Sequence, residues 1–347
     1  MGNQLKRIRK WMNIPGRFCP GYLNSITDVP NVTASHVTLI DSSTARTGLT
    51  LISPTETDIF QNPIPAAVAV GNGFGKLAGA MQIEELGELE SLMALTNTLS
   101  VSAVMQGLIE HHAPELPKDY NSINVLVGET NDSRLNDIRA LHVKPYHVKQ
   151  AIGLLSKDVA EGAVGAGAGT VCFGFKGGIG TSSRVITKDI TNETNDYTIG
   201  ALVQSNYGGN LTVYGYKIPK SIPKLSQDGS CMIIILTDAP LSSRQLKRLA
   251  KRGLIGMTNT GSYMGHGSGD FAIAASNNTK NRRNRESCGR EYYYLADSQL
   301  NPFFEACADA VQEALYNSMT MAAGAEYAGN IYPNFNPADY ADILPLI

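Results

Sequence analysis

The sequence predicts a layered α/β or α+β fold, and three observations carry that reading. A continuous apolar run, Cys231-Met232-Ile233-Ile234-Ile235-Leu236, reads as a strand buried on both faces. Phe303, Phe304, Cys307, Val311, Leu315 and Met319 recur at helical spacing and should face a core. Strand-like and helix-like segments alternate along the chain, which favours layers of helix on sheet. With 347 residues, 43% hydrophobic and 17% charged, the chain can bury a substantial core. Residues 1–347 read as a single domain.

The elements follow in order. Ile64 to Val70 and Ser122 to Val127 read as short buried strands ending in glycine-rich or acidic turns. Ser100 to Ile109 and Pro145 to Leu155 read as helices. Pro145 suits the first helical position, where its missing N–H costs nothing. Thr187 to Asp196 is a polar, turn-rich excursion, and Ile199 to Val203 is strand-like. Ser242-Ser243-Arg244-Gln245 has the form of a capping box and opens a helix through Ala250. Phe271-Ala272-Ile273-Ala274 is another strand. Ser276 to Ser298 is a second excursion, with Lys280, Arg282, Arg283, Arg285 and Arg290 ahead of Tyr292-Tyr293-Tyr294.

Composition excludes several functions. Basic residues beside aromatics can bind nucleic acid. The second excursion also carries Glu286 and Glu291, and the whole chain has a net charge of −2, so a solvated surface insertion is the better reading. No window reaches the roughly 18 apolar residues of a membrane span. The basic start (Lys6, Arg7, Arg9, Lys10) is followed by no apolar signal core, and Gly2 is followed at position 6 by Lys6, where myristoylation needs Ser or Thr. A cytoplasmic protein is expected. Cys19, Cys172, Cys231, Cys288 and Cys307 are odd in number and scattered, which implies neither a disulfide framework nor a zinc site.

Two glycine-rich segments resemble nucleotide loops and fail the test. Gly71-Asn72-Gly73-Phe74-Gly75-Lys76 has Val70 and Leu77 where a Walker loop needs Gly and Ser or Thr, and Lys76 where a dinucleotide fingerprint needs its third glycine. Gly165-Ala166-Gly167-Ala168-Gly169-Thr170 also lacks the spacing. With Lys176-Gly177-Gly178-Ile179-Gly180-Thr181 it reads as small residues that let backbones or a substrate approach closely.

Four places carry candidate chemistry. Gly229-Ser230 stands at the mouth of the Cys231–Leu236 strand. Glycine leaves its carbonyl unshielded, so the Ser230 hydroxyl could attack it, convert the amide to an ester and free an N-terminal serine after hydrolysis. Gly-Ser before a strand is more often only a turn. Gly265-His266-Gly267-Ser268-Gly269-Asp270 exposes Ser268, and Asp270 could orient it or take a proton. A Ser230/His266/Asp270 triad is possible by residue type, though a histidine in a glycine loop is more often a surface residue. Asn206 follows the Ile199–Val203 strand and could donate to an oxyanion, or simply make a turn. Glu129, in Gly128-Glu129-Thr130-Asn131-Asp132, could bind a substrate ammonium or equally cap a helix.

These residues fall inside a longer pattern. Asn24-Ser25-Ile26-Thr27-Asp28-Val29 with His36, Arg46-Thr47-Gly48, Leu95-Thr96-Asn97-Thr98 and Leu135-Asn136-Asp137 with His142-Val143 come first. Phe175-Lys176-Gly177-Gly178-Ile179-Gly180-Thr181, Leu202-Val203-Gln204 and Asn206-Tyr207-Gly208 follow, then Gly229-Ser230 and Thr237-Asp238-Ala239-Pro240-Leu241. Gly267-Ser268-Gly269 and Asn301-Pro302-Phe303-Phe304-Glu305 complete the series. In this order, nearly end to end, the chain resembles the self-processing peptidases that include L-aminopeptidase/D-amino-acid esterase-amidases and β-peptidyl aminopeptidases.

The resemblance implies an αββα sandwich, two central sheets between helix layers, with the architecture of N-terminal-nucleophile hydrolases and a different connectivity. It implies cleavage between Gly229 and Ser230 into an α-chain 1–229 and a β-chain 230–347, and a homotetramer of such pairs. Ser230 matches the nucleophile, Ser268 and Asp270 the proton-transferring pair, Asn206 the oxyanion-hole asparagine, and Glu129 the acid near the substrate amine. Relatives often carry Glu at position 270 and some an aromatic residue at 131, so Asp270 and Asn131 are departures that bear on substrate range. The expected substrates are small peptides, amino-acid amides and esters of the L-α, D-α or β series, with no cofactor and no metal. Two rivals stand beside this reading. Related amidases and acyltransferases of the same architecture use threonine as nucleophile, against which Ser230 argues. A binding protein that keeps the fold without turnover would show no need for two chains.

Overall fold

A computed structural model describes residues 5–41, 44–191, 193–219, 229–287, 289 and 291–347. Gly2, Cys288 and Arg290, named above, and Asn192 within the first excursion lie outside them.

One sheet takes shape in the first 130 residues. β1 (Thr33–Ile40), β2 (Arg46–Ser53), β4 (Leu77–Ala78), β6 (Met93–Asn97) and β7 (Leu126–Thr130) stand in the order β1-β2-β6-β7-β4. β3 (Ile64–Gly73) and β5 (Glu88–Leu89) leave it and join a second sheet. That sheet is completed by β10 (Gly178–Ile186), β11 (Tyr197–Asn206), β14 (Ser230–Thr237) and β15 (Gly269–Ser276), in the order β10-β11-β14-β15-β3-β5. All neighbours are antiparallel except β6 with β7 and β14 with β15.

The expected four layers are present. α2 (Val101–His112) and α3 (Tyr146–Ile152) cover the first sheet through Val104, Leu108 and Val148 against Val37, Leu49 and Leu51. α5 (Ser243–Thr258) and α6 (Asn301–Thr320) cover the second, and the sheets face each other across Ile52, Leu95, Leu202 and Ile273. β14 shows why its sequence is unbroken by polar residues. Cys231, Ile233 and Ile235 pack toward the helices, Met232, Ile234 and Leu236 toward the other sheet. Among the described residues no helix is long and apolar enough to cross a membrane.

Several boundaries differ from expectation for physical reasons. The strand expected over Ser122 to Val127 starts at Leu126, where pairing with β6 begins, and runs through Thr130, so Glu129 lies inside it. Pro145 is the cap residue of α3, one position ahead of the first helical turn. The capping box of Ser242 and Gln245 forms, but α5 continues eight residues past Ala250. Its glycines serve packing: a Cβ on Gly256 would sit 2.6 Å from the Ala308 carbonyl oxygen of α6. Phe304 is only partly buried on α6 and lies under Arg252, whose guanidinium carbon is 4.0 Å from the ring centre.

The two excursions are tied to the body. The Thr187–Asp196 segment includes a short helix, α4 (Lys188–Thr191), and Tyr293 donates to Glu193. Arg283 pairs with Glu88 and Arg285 with Glu90, while Arg282 is buried and donates to the Asn277 carbonyl. These arginines are spent on the protein itself, which accords with the surface-insertion reading.

Candidate active site

The site is built where three strands of the second sheet end side by side. Ser230, the first residue of β14, is paired with Asn206, the last residue of β11, and with Gly269, the first residue of β15. Gly269 is flanked by Ser268 and Asp270. The register of the sheet therefore brings Asn206, Ser230 and the Ser268–Asp270 segment together from three separate parts of the chain.

Gly229 and Ser230 are held in close geometry. The Ser230 hydroxyl lies 2.6 Å from the Gly229 carbonyl oxygen. The same oxygen accepts the Gly269 backbone N–H at 3.1 Å. The Gly229 carbonyl oxygen thus has two donors, the Ser230 hydroxyl and the Gly269 N–H, and a fixed N–H on a carbonyl oxygen can stabilise charge that develops there. Gly229 has no space for a larger residue: a Cβ would sit 2.3 Å from the Asn206 oxygen and 2.4 Å from Tyr207 Cα.

Asn206 is oriented from both ends of its amide. Its Oδ1 accepts the Val171 N–H at 3.0 Å, and its Nδ2 donates to the Asn131 carbonyl at 2.9 Å. An amide nitrogen has two donors, so one remains for the cavity. Val171 begins a small hairpin of β8 (Val171–Cys172) and β9 (Phe175–Lys176). Within it, the fully buried Lys176 ammonium donates to the carbonyls of Gly167, Thr170 and Gly177 at 2.9, 2.9 and 2.6 Å. Burial pulls its pKa well below the ordinary lysine value, and Arg46 adds to that while Asp132 opposes it. Three carbonyls nevertheless match the three donors of a charged amine.

Ser268 donates to Asp270 Oδ1 at 2.9 Å, so the shorter carboxylate still reaches its serine. Asp270 is completely buried, and Oδ2 has no hydrogen-bond partner among the described residues. Burial pushes its pKa up to about 6, against the lowering effect of the Ser268 hydroxyl. The Ser268 carbonyl accepts from Phe74 N at 3.1 Å and from the Asn72 side chain, which also donates to the His266 carbonyl. His266 is exposed with its ring against Phe74, and Asp270 is engaged by Ser268. The Ser230/His266/Asp270 triad that residue types allow is therefore not formed.

Glu129 arrives from the facing sheet. Thr98 donates to its Oε2, and the Lys76 backbone N–H donates to Oε1 at 2.9 Å. The Lys76 ammonium stands 3.9 Å from the same oxygen. A Cβ on Gly75 would lie 3.2 Å from both Glu129 Oε1 and Gly269 Cα, which measures how closely the two sheets approach here. Asn131 contributes its carbonyl to Asn206, while its side chain accepts the Ser133 N–H at 3.0 Å.

Ser230, Asn206, Glu129 and Asn131 line one cavity of about 590 Å³, whereas Ser268 and Asp270 lie behind its wall. Sequence reading missed Phe74, Lys76, Thr98, Ser133 and Arg134, which also line it. The glycine-rich Gly71–Lys76 segment did signal a close approach. Its partners are Glu129 and Gly269 and not a phosphate. The remaining described cysteines near the site, Cys172 and Cys231, are buried thiols; burial pushes Cys172 up to about 12 and Cys231 well above its ordinary value. They are inert as nucleophiles.

Comparison with known proteins shows the family and the fold. The sequence model described as peptidase family S58 matches residues 24–331. The chain is 34% identical over 342 residues to the β-peptidyl aminopeptidase BapA of Sphingosinicella microcystinivorans, covering 90% of this chain and 85% of the relative. The solved PH0078 protein of Pyrococcus horikoshii OT3 superposes with a TM-score of 0.89 at 40% identity, over 95% of this chain and 96% of that one. The L-aminopeptidase D-Ala-esterase/amidase of Ochrobactrum anthropi, described as a new variant of the Ntn-hydrolase fold, gives 0.88 at 29% identity, over 97% and 99%.

Proposed function

The chain belongs to peptidase family S58, and from that premise we propose how its residues divide the work of a self-processing aminopeptidase. The protein is a hydrolase of the aminopeptidase type, with a fold of the Ntn-hydrolase variant.

The proposed first reaction is on the chain itself. Ser230 Oγ attacks the Gly229 carbonyl carbon, and the Gly269 N–H receives the oxyanion. The C–N bond breaks, the nitrogen takes the proton from the hydroxyl, and an ester joins Gly229 to Ser230. Water hydrolyses the ester to a Gly229 carboxylate and a free N-terminal Ser230, giving α-chain 1–229 and β-chain 230–347. The observation that carries this reading is the Gly229 carbonyl oxygen, with the Ser230 hydroxyl at 2.6 Å and the Gly269 N–H at 3.1 Å.

The second reaction uses the same serine on substrate. The ammonium of an N-terminal residue binds Glu129, which has room for it once the exposed Lys76 side chain yields. Ser230 attacks the first carbonyl, and the free donor of Asn206 meets the oxyanion, a contribution of about 3–4 kcal/mol where such donors have been removed elsewhere. Protons pass between Ser230, its own α-amine with a pKa of about 8, and Ser268 backed by Asp270. The leaving amine departs protonated, and water releases the acyl group. Neither reaction as written calls for a metal or an organic cofactor.

Peptides, amides and esters with a free amino group are the substrate class. The relatives' names span β-peptidyl, L-amino and D-Ala substrates, and all three series fit an anchor on the amine. Intact-mass measurement of the protein and of Ser230→Ala tests the reading: two chains and turnover of aminoacyl p-nitroanilides in the first, one inactive chain in the second. A tetramer of processed pairs, on the family resemblance, and a cytoplasmic location belong to the same proposal; light scattering and cell fractionation test them.

A further inference from the structure

The cavity carries more positive charge than an amine-binding site calls for. Of the described residues lining it, Glu129 is the one carboxylate, and Lys76 and Arg134 are the two cations. Lys76 stands 3.9 Å from Glu129, which accounts for one cation. Arg134 is half-buried in the wall, and among the described residues no ion pair or side-chain hydrogen bond engages it.

The loop that presents Arg134 is pinned. The Leu135 N–H donates to the Asp132 carbonyl at 3.0 Å, closing a turn around Ser133 and Arg134. Asp132 is fully buried and accepts the Asn136 side chain at 3.0 Å. At the other end, the Asn131 carbonyl holds Asn206, so the loop is fastened directly to the amide beside Ser230. A guanidinium on a rigid support, with its fork unspent, is suited to bind a carboxylate in two-pronged fashion.

Charge counting gives the same answer. Processing adds a Gly229 carboxylate and a Ser230 α-amine to this wall, which cancel when both are charged, so a neutral-ended aminoacyl amide still brings its ammonium to described lining residues that hold one cation in excess. A substrate that also carries a carboxylate restores balance. Resting on the aminopeptidase reading above, we propose that the cavity is a two-point clamp for zwitterions, with the substrate ammonium on Glu129 and a substrate carboxylate on Arg134. The carboxylate comes either from the C-terminus of a dipeptide or from an acidic side chain of the N-terminal residue.

Paired substrates on the processed protein test this. One arm compares β-Ala-L-Ala and L-Ala-L-Ala with their C-terminal amides. The other compares aspartyl with alanyl p-nitroanilide. At least a tenfold higher kcat/KM for the carboxylate member is expected in one arm, and the arm in which it appears identifies the source. Arg134→Gln should bring that ratio close to one, while Lys76→Gln keeps it. No preference in either arm, or a preference that survives in Arg134→Gln, overturns the proposal. Should no substrate turn over at all, the aminopeptidase reading fails instead. Calorimetric binding of β-Ala-L-Ala and its amide to the wild-type protein and Arg134→Gln then still decides the role of Arg134.

Discussion

Lys176 and Asn206 are joined through a single peptide unit. The Lys176 ammonium donates to the Thr170 carbonyl at 2.9 Å, and the N–H at the other end of that peptide, on Val171, donates to Asn206 Oδ1 at 3.0 Å. A cation at the carbonyl polarises the peptide and strengthens its N–H as a donor, and the amide of Asn206 is polarised in turn. Lys176→Met should therefore act on the oxyanion step. We expect kcat to fall while KM changes little, and the loss to vanish in an Asn206→Ala background. Three buried carbonyls would also lose their donor, at about 1–3 kcal/mol each, so denaturant unfolding should show a large loss of stability. A Lys176→Met protein with wild-type kcat would sever the link.

Asp270 makes activity depend on pH. Its carboxyl titrates at about 6 because burial disfavours the charge. If it must be ionised to take a proton through Ser268, kcat/KM should rise with pH through about 6. Asp270→Asn should be nearly inactive and lack this limb. Stability runs the other way. The folded chain holds this proton more tightly than the unfolded one, so stability falls as pH rises from the ordinary carboxylate range to about 6, then levels off. Asp270→Asn removes that cost, and its stability should fall less over the same range. Unfolding curves at pH 5 and 7 for both proteins check the sign.

Much of this site was legible from sequence where the chain itself carries the constraint. The apolar run after Ser230 announces a strand covered on both sides, and Asn206 and Ser230 each stand at a strand end. What sets them opposite each other is the β11–β14 register, a long-range pairing that local pattern does not encode. The cavity wall was less legible for the same reason. Lys76 ends a glycine-rich segment that signals a close approach without naming the partner, Arg134 sits on a loop of ordinary composition, and only the stacking of one sheet on the other brings them to Ser230. His266 shows the opposite case: residue types allow a triad, the glycine loop favours a surface histidine, and the ring is exposed while Asp270 turns to Ser268.

Glu129 should govern the affinity for the substrate amine. Glu129→Gln keeps one oxygen to accept the Lys76 N–H, and its NH2 can donate to a Thr98 hydroxyl that turns to accept, so the substitution removes the charge while both neighbours keep a partner. A charge-assisted hydrogen bond is worth about 1.5–3 kcal/mol, so KM for aminoacyl p-nitroanilides should rise roughly 10- to 100-fold. Self-cleavage involves no substrate amine and should proceed. Intact mass and initial rates separate the two effects, and an unchanged KM would remove Glu129 from the amine site.

Gly229 sets the sharpest steric condition. A side chain there would press into the Asn206 oxygen and Tyr207 Cα at 2.3 and 2.4 Å, both backbone atoms of the neighbouring segment that cannot swing aside. Gly229→Ala must therefore move the scissile carbonyl away from Gly269 N or push β11 away from β14. Displacements near 1 Å at reacting groups cost on the order of a hundredfold in rate. We expect Gly229→Ala to accumulate as one chain of full mass over times in which the wild type is fully cut. Cleavage frees the new carboxylate end at residue 229 to move away from Asn206 and Tyr207, so any fraction that does cut should lose less in kcat per cleaved chain than the uncut chain loses in cleavage rate. Rapid cleavage of Gly229→Ala would mean that the close geometry at this carbonyl is not what drives the reaction.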